Sequence, residues 1–334
     1  MKISVVIATY NSAKFIAATI ESVFRQTLPP DEILVLDDGS KDDTVSILNT
    51  YGPRVTVFQQ ANRGAAAARN ELCKRASGDL IAFLDHDDIW HPKYLEAQYN
   101  SFLKNPLAVA FFTGHVDFNG AENYFWKDDI EVGRLEEELI APVDFFRRYN
   151  QATGPFASMS YCCVPKAALE RLGNEPFHPA MGGVEDSYLL YLLCLQGPVS
   201  FTPMPLAAYR IWGGSLSQDR VKSLGLWVKV FELLYERYRK LNDPKMLNAF
   251  RLAFALKRRR YGKLLMGSGR TSEARRQFCE AVRISDSFSS RLKSLALWLL
   301  TVLPAKLQPA WPSGDRESGD KTMNFHRSRR AAHK

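Results

Sequence analysis

Residues 79–90 read DLIAFLDHDDIW. Five apolar residues, Leu80 to Leu84, run without a break and then give way to Asp85, His86, Asp87 and Asp88. An apolar run of that length fits a strand buried on both faces, as in a parallel sheet. Packing does not explain the polar cluster at its end. A strand-to-helix turn ahead of Pro92 accounts for one acid, with Asp88 as the helix cap. Three close carboxylates repel one another unless they are solvated or neutralised by a cation. Asp85 and Asp87 have D-x-D spacing, and residues i and i+2 of an extended chain point the same way. A hard divalent cation, held by one or two carboxylates plus phosphate oxygens, suits such a pair.

The same pattern recurs upstream. ISVVIAT (3–9) is an apolar, β-branched strand that runs into ATYN (8–11), and EILVLDDGS (32–40) is a second that runs into two acids and a glycine. VTVFQQ (55–60) is the third strand. Between them lie helical stretches. In the first, Phe15, Ile16, Ile20, Val23 and Phe24 recur at helical spacing, Asn11 or Ser12 caps, and Pro29 and Pro30 stop the helix. DDTVSILNTY (42–51) is a short helix capped by Ser40 or Asp42, and GAAAARNELCKRA (64–76) is an alanine-rich one. Three β–α alternations ahead of the 79–90 strand predict an α/β fold: an open, Rossmann-like, largely parallel sheet with helices on both faces. Ligands of such sheets collect at the carboxyl ends of the strands. The loops ATYN, DDGS and DHDD would then line one crevice. Alone, DDGS is equally a turn, since Asp and Gly favour turns.

Downstream, a helix is expected from Pro92 to Lys104, then a strand in LAVAFFTGHVDF (107–118) and weaker patterning over 119–160. VEDSYLLYLLCLQG (184–197) is a mostly buried helix opening on two acids, which either favour the helix macrodipole or do chemistry. PVSFTPMPLAAYRIWGGSLS (198–217) reads as strand, turn, strand and loop. From 217 to 303 the pattern is helical, with a hairpin turning at Gly267 to Gly269.

The chain has 334 residues, 46% of them hydrophobic, enough for one or two domains with a sizeable core. No signal peptide opens it, and no apolar run is long enough to span a bilayer. Five cysteines without metal-type or framework spacing fit reduced thiols in the cytoplasm. The net charge of +8 hides a segregation. Residues 240–334 hold 21 Lys and Arg against 7 Asp and Glu, while residues 1–239 hold 23 against 29. The basic rear should seek anions. Its stretch SRLKSLALWLLTVLPAKL (290–307) either packs as a core helix or lies on the inner face of the cell membrane, with Arg291, Lys293 and Lys306 flanking it. Nucleic acid is not expected, because no recognition module accompanies the charge.

SVVIATYN (4–11), ILVLDDGSKDDT (33–44) and NRGAAAARNELCKRASGDLIAFLDHDDIW (62–90) together resemble the donor domain of family 2 glycosyltransferases, which have the GT-A fold. The resemblance covers roughly residues 3–215. It implies a nucleoside-diphosphate sugar donor, a UDP-sugar above all, a glycan or glycolipid acceptor, and a place in cell-surface polysaccharide or glycolipid synthesis. It implies that Asp38 contacts the base, with Thr9, Tyr10, Asn62, Arg63 and Gly64 near base and ribose. Asp85 would approach the ribose or the metal, and Asp87 would hold Mg²⁺ or Mn²⁺ on the diphosphate. His86 replaces a serine common in the family and bears on the sugar pocket. In MGGVEDSYLLYL (181–192), Asp186 matches the family's catalytic base, with Glu185 in support. Inversion by one direct displacement follows. AAYRIWGGSLS (207–217) matches the family's Tyr-Arg-x-His and Ser-x-Ser at Tyr209, Arg210, Ser215 and Ser217, except that Trp212 stands where histidine is usual. Arg210 would counter diphosphate charge, and Trp212 either stacks on a sugar or simply packs.

The domains implied are a GT-A domain over 1–216 (nucleotide-binding half 1–95, acceptor and catalytic half 96–216), a helical region over 217–311 and a disordered basic tail over 312–334. Two other readings remain open at this point. DHDDI also resembles the phosphatase motif of haloacid-dehalogenase-type enzymes, with Asp85 as nucleophile, although that motif usually follows the first strand. A glycosyltransferase-like scaffold could also bind nucleotide without turnover.

Overall fold

The alternation read from the first ninety residues is present. Strands β1 (Ile3–Thr9), β2 (Glu32–Asp37), β3 (Thr56–Gln59) and β4 (Leu80–Phe83) are separated by helices α1 (Ile16–Phe24), α2 (Thr44–Asn49) and α3 (Ala65–Arg75). In this computed structural model, residues 1–120, 124, 126, 136–150, 158–212, 219–304 and 308–312 are described. β1 lies between β2 and β4, and β3 lies outside β2, all parallel. Val5, Ile7, Val35, Leu80, Ile81 and Ala82 are wholly buried, which is why these strands read as unbroken apolar runs.

The chain continues through β5 (Ile89–Trp90), α4 (Tyr94–Lys104), β6 (Ala110–Asn119), β7 (Glu138–Ile140), α5 (Pro142–Tyr149), β8 (Cys162–Pro165), α6 (Lys166–Glu170), α7 (Glu185–Leu193) and β9 (Val199–Ile211). The sheet order is β3-β2-β1-β4-β8-β6-β9-β5, with β7 also on β9. β8 is antiparallel to both β4 and β6, while β6 and β9 run parallel. The sheet is therefore mixed, with its β3-β2-β1-β4 half wholly parallel and its other half built around β8 and β9.

Two local expectations need correction. Residues 199–211 form one 13-residue strand, not two strands joined by a turn. The prolines at 203 and 205 produce register shifts against β6 around Gly114 instead of a chain reversal. A Cβ at Gly114 would stand 2.5 Å from the Pro203 carbonyl oxygen, so the shift needs glycine there. Nor is α1 capped by a side chain, whereas Asp42 Oδ1 does accept from Thr44 N at the start of α2. Asn11, Ser12, Ser40 and Asp42 tie the two loops together. Asn11 Oδ1 accepts from Lys41 N, Ser40 Oγ accepts from Asn11 N, and Asp42 Oδ2 accepts from Ala13 N. Asn11 adopts a left-handed φ of 49° to reach across.

The chain divides into two units, residues 1–215 with 229–253, and residues 216–228 with 254–334. Helices α8 (Arg220–Arg239) and α9 (Pro244–Gly267) each contribute residues to both. In the first unit, Phe231, Tyr238 and Phe250 pack on Phe146 and Tyr191, and Tyr238 donates a hydrogen bond to the Tyr191 carbonyl. In the second, the α9–α10 turn passes through Gly269 (φ 75°), and α10 (Thr271–Ile284) packs Ala274 and Phe278 on Leu265 and Met266. Helix α11 (Phe288–Leu300) follows and lies along α10. All five cysteines are free. Among the described residues no helix is long and apolar enough to cross a membrane. The 216/217 boundary and residues 313–334 lie outside the described residues.

Candidate active site

The carboxyl ends of β1, β2 and β4 carry the residues singled out by sequence, arranged in three nodes. The first is built on Asp38, buried at the end of β2. Its backbone N–H donates to the Thr9 carbonyl at 2.8 Å, which locks the ends of β1 and β2 together. Its carboxylate accepts from Gln60 Nε2 (2.7 Å), Arg63 N (2.9 Å) and Gly64 N (2.7 Å). Asp38 therefore shapes the 60–64 turn, placing Asn62, Arg63 and Gly64 beside the β1 end. Gly64 takes a φ of 88° where that turn enters α3. Thr9 is buried and bonded to Ser12 through its hydroxyl, while Tyr10 is exposed. The neighbouring Asp37 went unnoticed in the sequence. It is buried, its Oδ2 accepts from Ser40 N, and its Oδ1 has no hydrogen-bond partner.

The second node is Arg69, which sequence reading missed because it hides within the alanine run of α3. Its guanidinium is buried and reaches three carboxylates: Asp85 Oδ1 at 2.7 Å, Glu185 Oε1 at 2.6 Å and Asp186 Oδ1 at 3.2 Å. The β4 acid and the first turn of α7 are thus brought together through one cation. Burial works against the charge on Arg69, yet the three acids hold its pKa well above the usual value. Burial also works against ionised Asp85, but Arg69 overrides it and the carboxyl lies below its usual range. Ser158 donates to Asp85 Oδ2 and Ser160 Oγ accepts from Asp85 N, so both carboxylate oxygens are engaged. Glu185 Oε2 accepts from Gly183 N at 2.6 Å, which fixes the glycine turn before α7. Asp186 behaves differently. Burial pushes its carboxyl up to about 7, Arg69 opposes that, and the charges of Glu185 and Asp85 add to the rise. An acid poised near neutrality is what general-base chemistry requires.

The third node holds the loop between β4 and β5. Arg210, wholly buried on β9, donates from Nε to the Asp87 carbonyl, from Nη1 to the Gly120 carbonyl and from its backbone N–H to Asp88 Oδ1. Its guanidinium lies over Phe15 and Phe118. Arg210 sits as a strut behind the acid loop. Asp88 is buried, and burial together with Asp87 and Asp85 holds its pKa well above the usual range. Its surroundings thus disfavour the ionised form. Asp87 stays half-buried, and its Oδ2 accepts from Trp212 Nε1 at 2.8 Å. Trp212 also meets Phe15 edge-on, so both its faces of chemistry are accounted for within the protein. His86 is half-buried, and its carbonyl is held by Thr19 Oγ1. Ser215 and Ser217 lie outside the described residues.

A metal finds few protein ligands here. Among the described residues no group of three or more His, Cys, Asp and Glu side chains is arranged to hold one. The donor set still fits a cation bound mainly by a substrate diphosphate. Asp87 has one oxygen not taken by Trp212, with Asp85 two residues away.

Comparison with known proteins supports the resemblance. Residues 4–173 match the model for "Glycosyl transferase family 2". The Escherichia coli UDP-Glc:alpha-D-GlcNAc-diphosphoundecaprenol beta-1,3-glucosyltransferase WfgD is 40% identical over 226 residues, covering 66% of this chain and 82% of that protein. Across eight curated relatives, the match spans 19–82% of their length. Staphylococcus aureus TarS 1–349 in complex with UDP-GlcNAc superposes with a TM-score of 0.65 at 16% identity, over 90% of both chains. The mannosyltransferase PcManGT from Pyrobaculum calidifontis, in complex with GDP-Man and Mn²⁺, gives 0.55 at 19% identity, over 90% of this chain and 81% of that one. At these identities the structural neighbours show the fold, and it is GT-A.

Proposed function

Because this chain belongs to glycosyl transferase family 2, we propose that it moves one sugar from a UDP-sugar to a hydroxyl of a lipid-linked glycan, with inversion at the anomeric carbon. The carrying observation is the Arg69 node, which joins the β4 acid to a carboxyl raised to about 7 on α7. In this reading the 60–64 turn, Thr9 and Tyr10 receive base and ribose, with Asp38 holding that turn in shape. Asp186 accepts the proton of the acceptor hydroxyl as the oxygen bonds to the anomeric carbon. The bond from that carbon to the diphosphate breaks, and its electron pair leaves with UDP. Glu185 fixes Arg69 and the Gly183 turn, so that Asp186 keeps its place. Asp87, with Asp85 beside it, would hold Mg²⁺ or Mn²⁺, which when bound would offset negative charge on the departing diphosphate. The Mn²⁺ in the PcManGT complex supports this assignment.

The activity of WfgD supports the lipid diphosphate acceptor, and the UDP-GlcNAc bound to TarS supports UDP as the nucleotide. Such an acceptor places the enzyme in cell-surface polysaccharide synthesis, in the cytoplasm and peripheral to the membrane. The test is a panel of UDP-glucose, UDP-GlcNAc and GDP-mannose with a GlcNAc-diphospholipid acceptor and Mg²⁺ or Mn²⁺. UDP release that needs the acceptor, with a β-linked product by NMR, is expected. An α-linked product refutes inversion, and binding without release for every donor marks a non-catalytic scaffold. Phosphate release from a simple phosphomonoester would revive the phosphatase reading.

A further inference from the structure

Helix α11 is amphipathic in the unexpected sense. Its wholly buried positions are polar, Ser290, Ser294 and, just past the helix, Thr301, while Leu297 and Trp298 pack half-buried against the Leu265, Met266, Ala274 and Phe278 cluster. Arg259 donates to Ser290 Oγ and Ser294 Oγ, and Arg275 donates to the Thr301 hydroxyl and carbonyl. Two arginines thus hold the helix by its small polar face. Leu292, Leu295 and Leu299 point the other way. Phe288, Leu292, Leu295, Leu299 and Val302, at spacings of three and four, form one stripe along the helix. They are 81%, 55%, 44%, 50% and 50% exposed. A single exposed leucine is ordinary, but five in register are a patch that needs an occupant. The sequence alternatives, core helix or membrane helix, thus meet in one element: the helix packs, and its apolar face is left outward.

We propose that this face is a lipid-binding surface, laid into the headgroup boundary of an anionic bilayer. Charge selects the occupant. Arg291 and Lys293 are exposed, α11 contains no acid, and residues 240–334 carry 21 basic against 7 acidic residues. Cations flanking an apolar stripe are the arrangement by which helices lie in a membrane surface. A second copy of the chain is the weaker occupant. It would bring like charges face to face, and the exposed stripe amounts to roughly 500 Å², short of the ~800 Å² per partner of a stable interface. A lipid surface needs no complementary shape and accepts a single helix.

The inference rests on α11 itself, not on the sugar-transfer reading, and its test uses neither donor nor acceptor. The full chain is co-sedimented with vesicles of equal parts phosphatidylglycerol and phosphatidylcholine, and with phosphatidylcholine alone, at low and high salt. Wild type should pellet with the anionic vesicles and be released by salt. The triple variant Leu292→Ser/Leu295→Ser/Leu299→Ser should bind about 10-fold more weakly or worse. Its circular dichroism melt should match wild type, because all three side chains are outward. Arg291→Gln/Lys293→Gln should lose the preference for anionic over neutral vesicles. Equal pelleting of wild type and triple variant overturns the proposal. So does a wild-type dimer by light scattering that the triple variant converts to monomer without any change in vesicle binding.

Discussion

Replacing Arg69 by Met removes the one cation shared by Asp85, Glu185 and Asp186, while keeping a long apolar stem in α3. Removing one partner of a buried ion pair costs about 3–5 kcal/mol, because the other charge is left uncompensated. Three carboxylates lose a partner here, but they need not all stay charged. For a unit of this size a loss of 1 kcal/mol lowers Tm by roughly 2–4 °C, so a drop of about 10 °C is expected at pH 8. The pH dependence separates this mechanism from simple loss of packing. Without Arg69 the folded-state pKa values of these acids rise above the unfolded value of about 4. Acids raised in this way stabilise the fold below their unfolded pKa and lose that contribution as pH climbs through the folded value. The deficit of Arg69→Met should therefore be largest at pH 8 and shrink toward pH 5. In wild type, Asp85 is depressed instead, so its contribution persists down to the acid range. Thermal melts of both proteins from pH 5 to pH 8 measure the gap. A gap that stays constant across that range, or no gap at pH 8, refutes the reasoning. Arg69→Lys should recover part of the Tm, since it restores the charge but not the fork that reaches two sides at once.

The other expectations concern the reaction and its cation. Asp186→Asn should lower kcat at least ~100-fold with donor binding retained, and should abolish the limb of kcat/KM that rises with pH near 7 in wild type; a surviving limb moves the base elsewhere. Asp87→Ala should remove the thermal shift given by Mn²⁺ with UDP while leaving the melt without ligands unchanged, and an undiminished shift would displace the metal from this loop. Trp212→Phe keeps the ring against Phe15 but deletes the donor to Asp87 Oδ2, so the Mn²⁺ concentration for half-maximal shift should rise about 10-fold, and an unchanged value would make Trp212 a packing residue only.

The strand–helix alternation was legible because each parallel strand is buried on both faces and each helix shows an apolar stripe. The three acidic or polar strand ends were legible because nothing in a sheet core calls for them. Arg69 was not, since an arginine in an alanine-rich helix reads as solvated, and only the packing of α3 against the start of α7 turns it inward. The roles of the two acids in DDGS could not be divided by sequence either. The fold assigns Asp38 to the 60–64 turn and leaves Asp37 with an unpartnered oxygen. β9 was misread because proline usually ends strands, whereas here it falls where β6 supplies glycine and a register shift. The outward face of α11 was ambiguous because an apolar stripe does not say which side of the helix packs. Two half-buried arginines, Arg259 from α9 and Arg275 from α10, decide it.

How four polar residues can share one loop, the difficulty posed by DHDD, is a matter of giving each acid a different environment. Asp85 is ionised because Arg69 stands beside it and two serines complete its hydrogen bonds. Asp88 is held well above the usual carboxylate range because it is wholly buried next to two other acids, and Arg210 gives it only a backbone donor. Asp87 is half-exposed and steadied on one oxygen by the Trp212 indole. The repulsion expected of three adjacent carboxylates is thus eased before any ligand arrives: one is paired with a cation, one is buried where ionisation is disfavoured, and one is steadied by an indole N–H. That division explains why the loop is stable while still offering a carboxylate oxygen. It also makes the nodes unequal in what they tolerate. Asp88→Asn should be nearly silent in both melt and turnover, since burial already disfavours the charged form and the amide oxygen still accepts from Arg210 N. Asp85→Asn should lower Tm, because Arg69 then faces one fewer anion. If the two amides had equal effects, the three acids would share one protonation state and this account of the loop would be wrong.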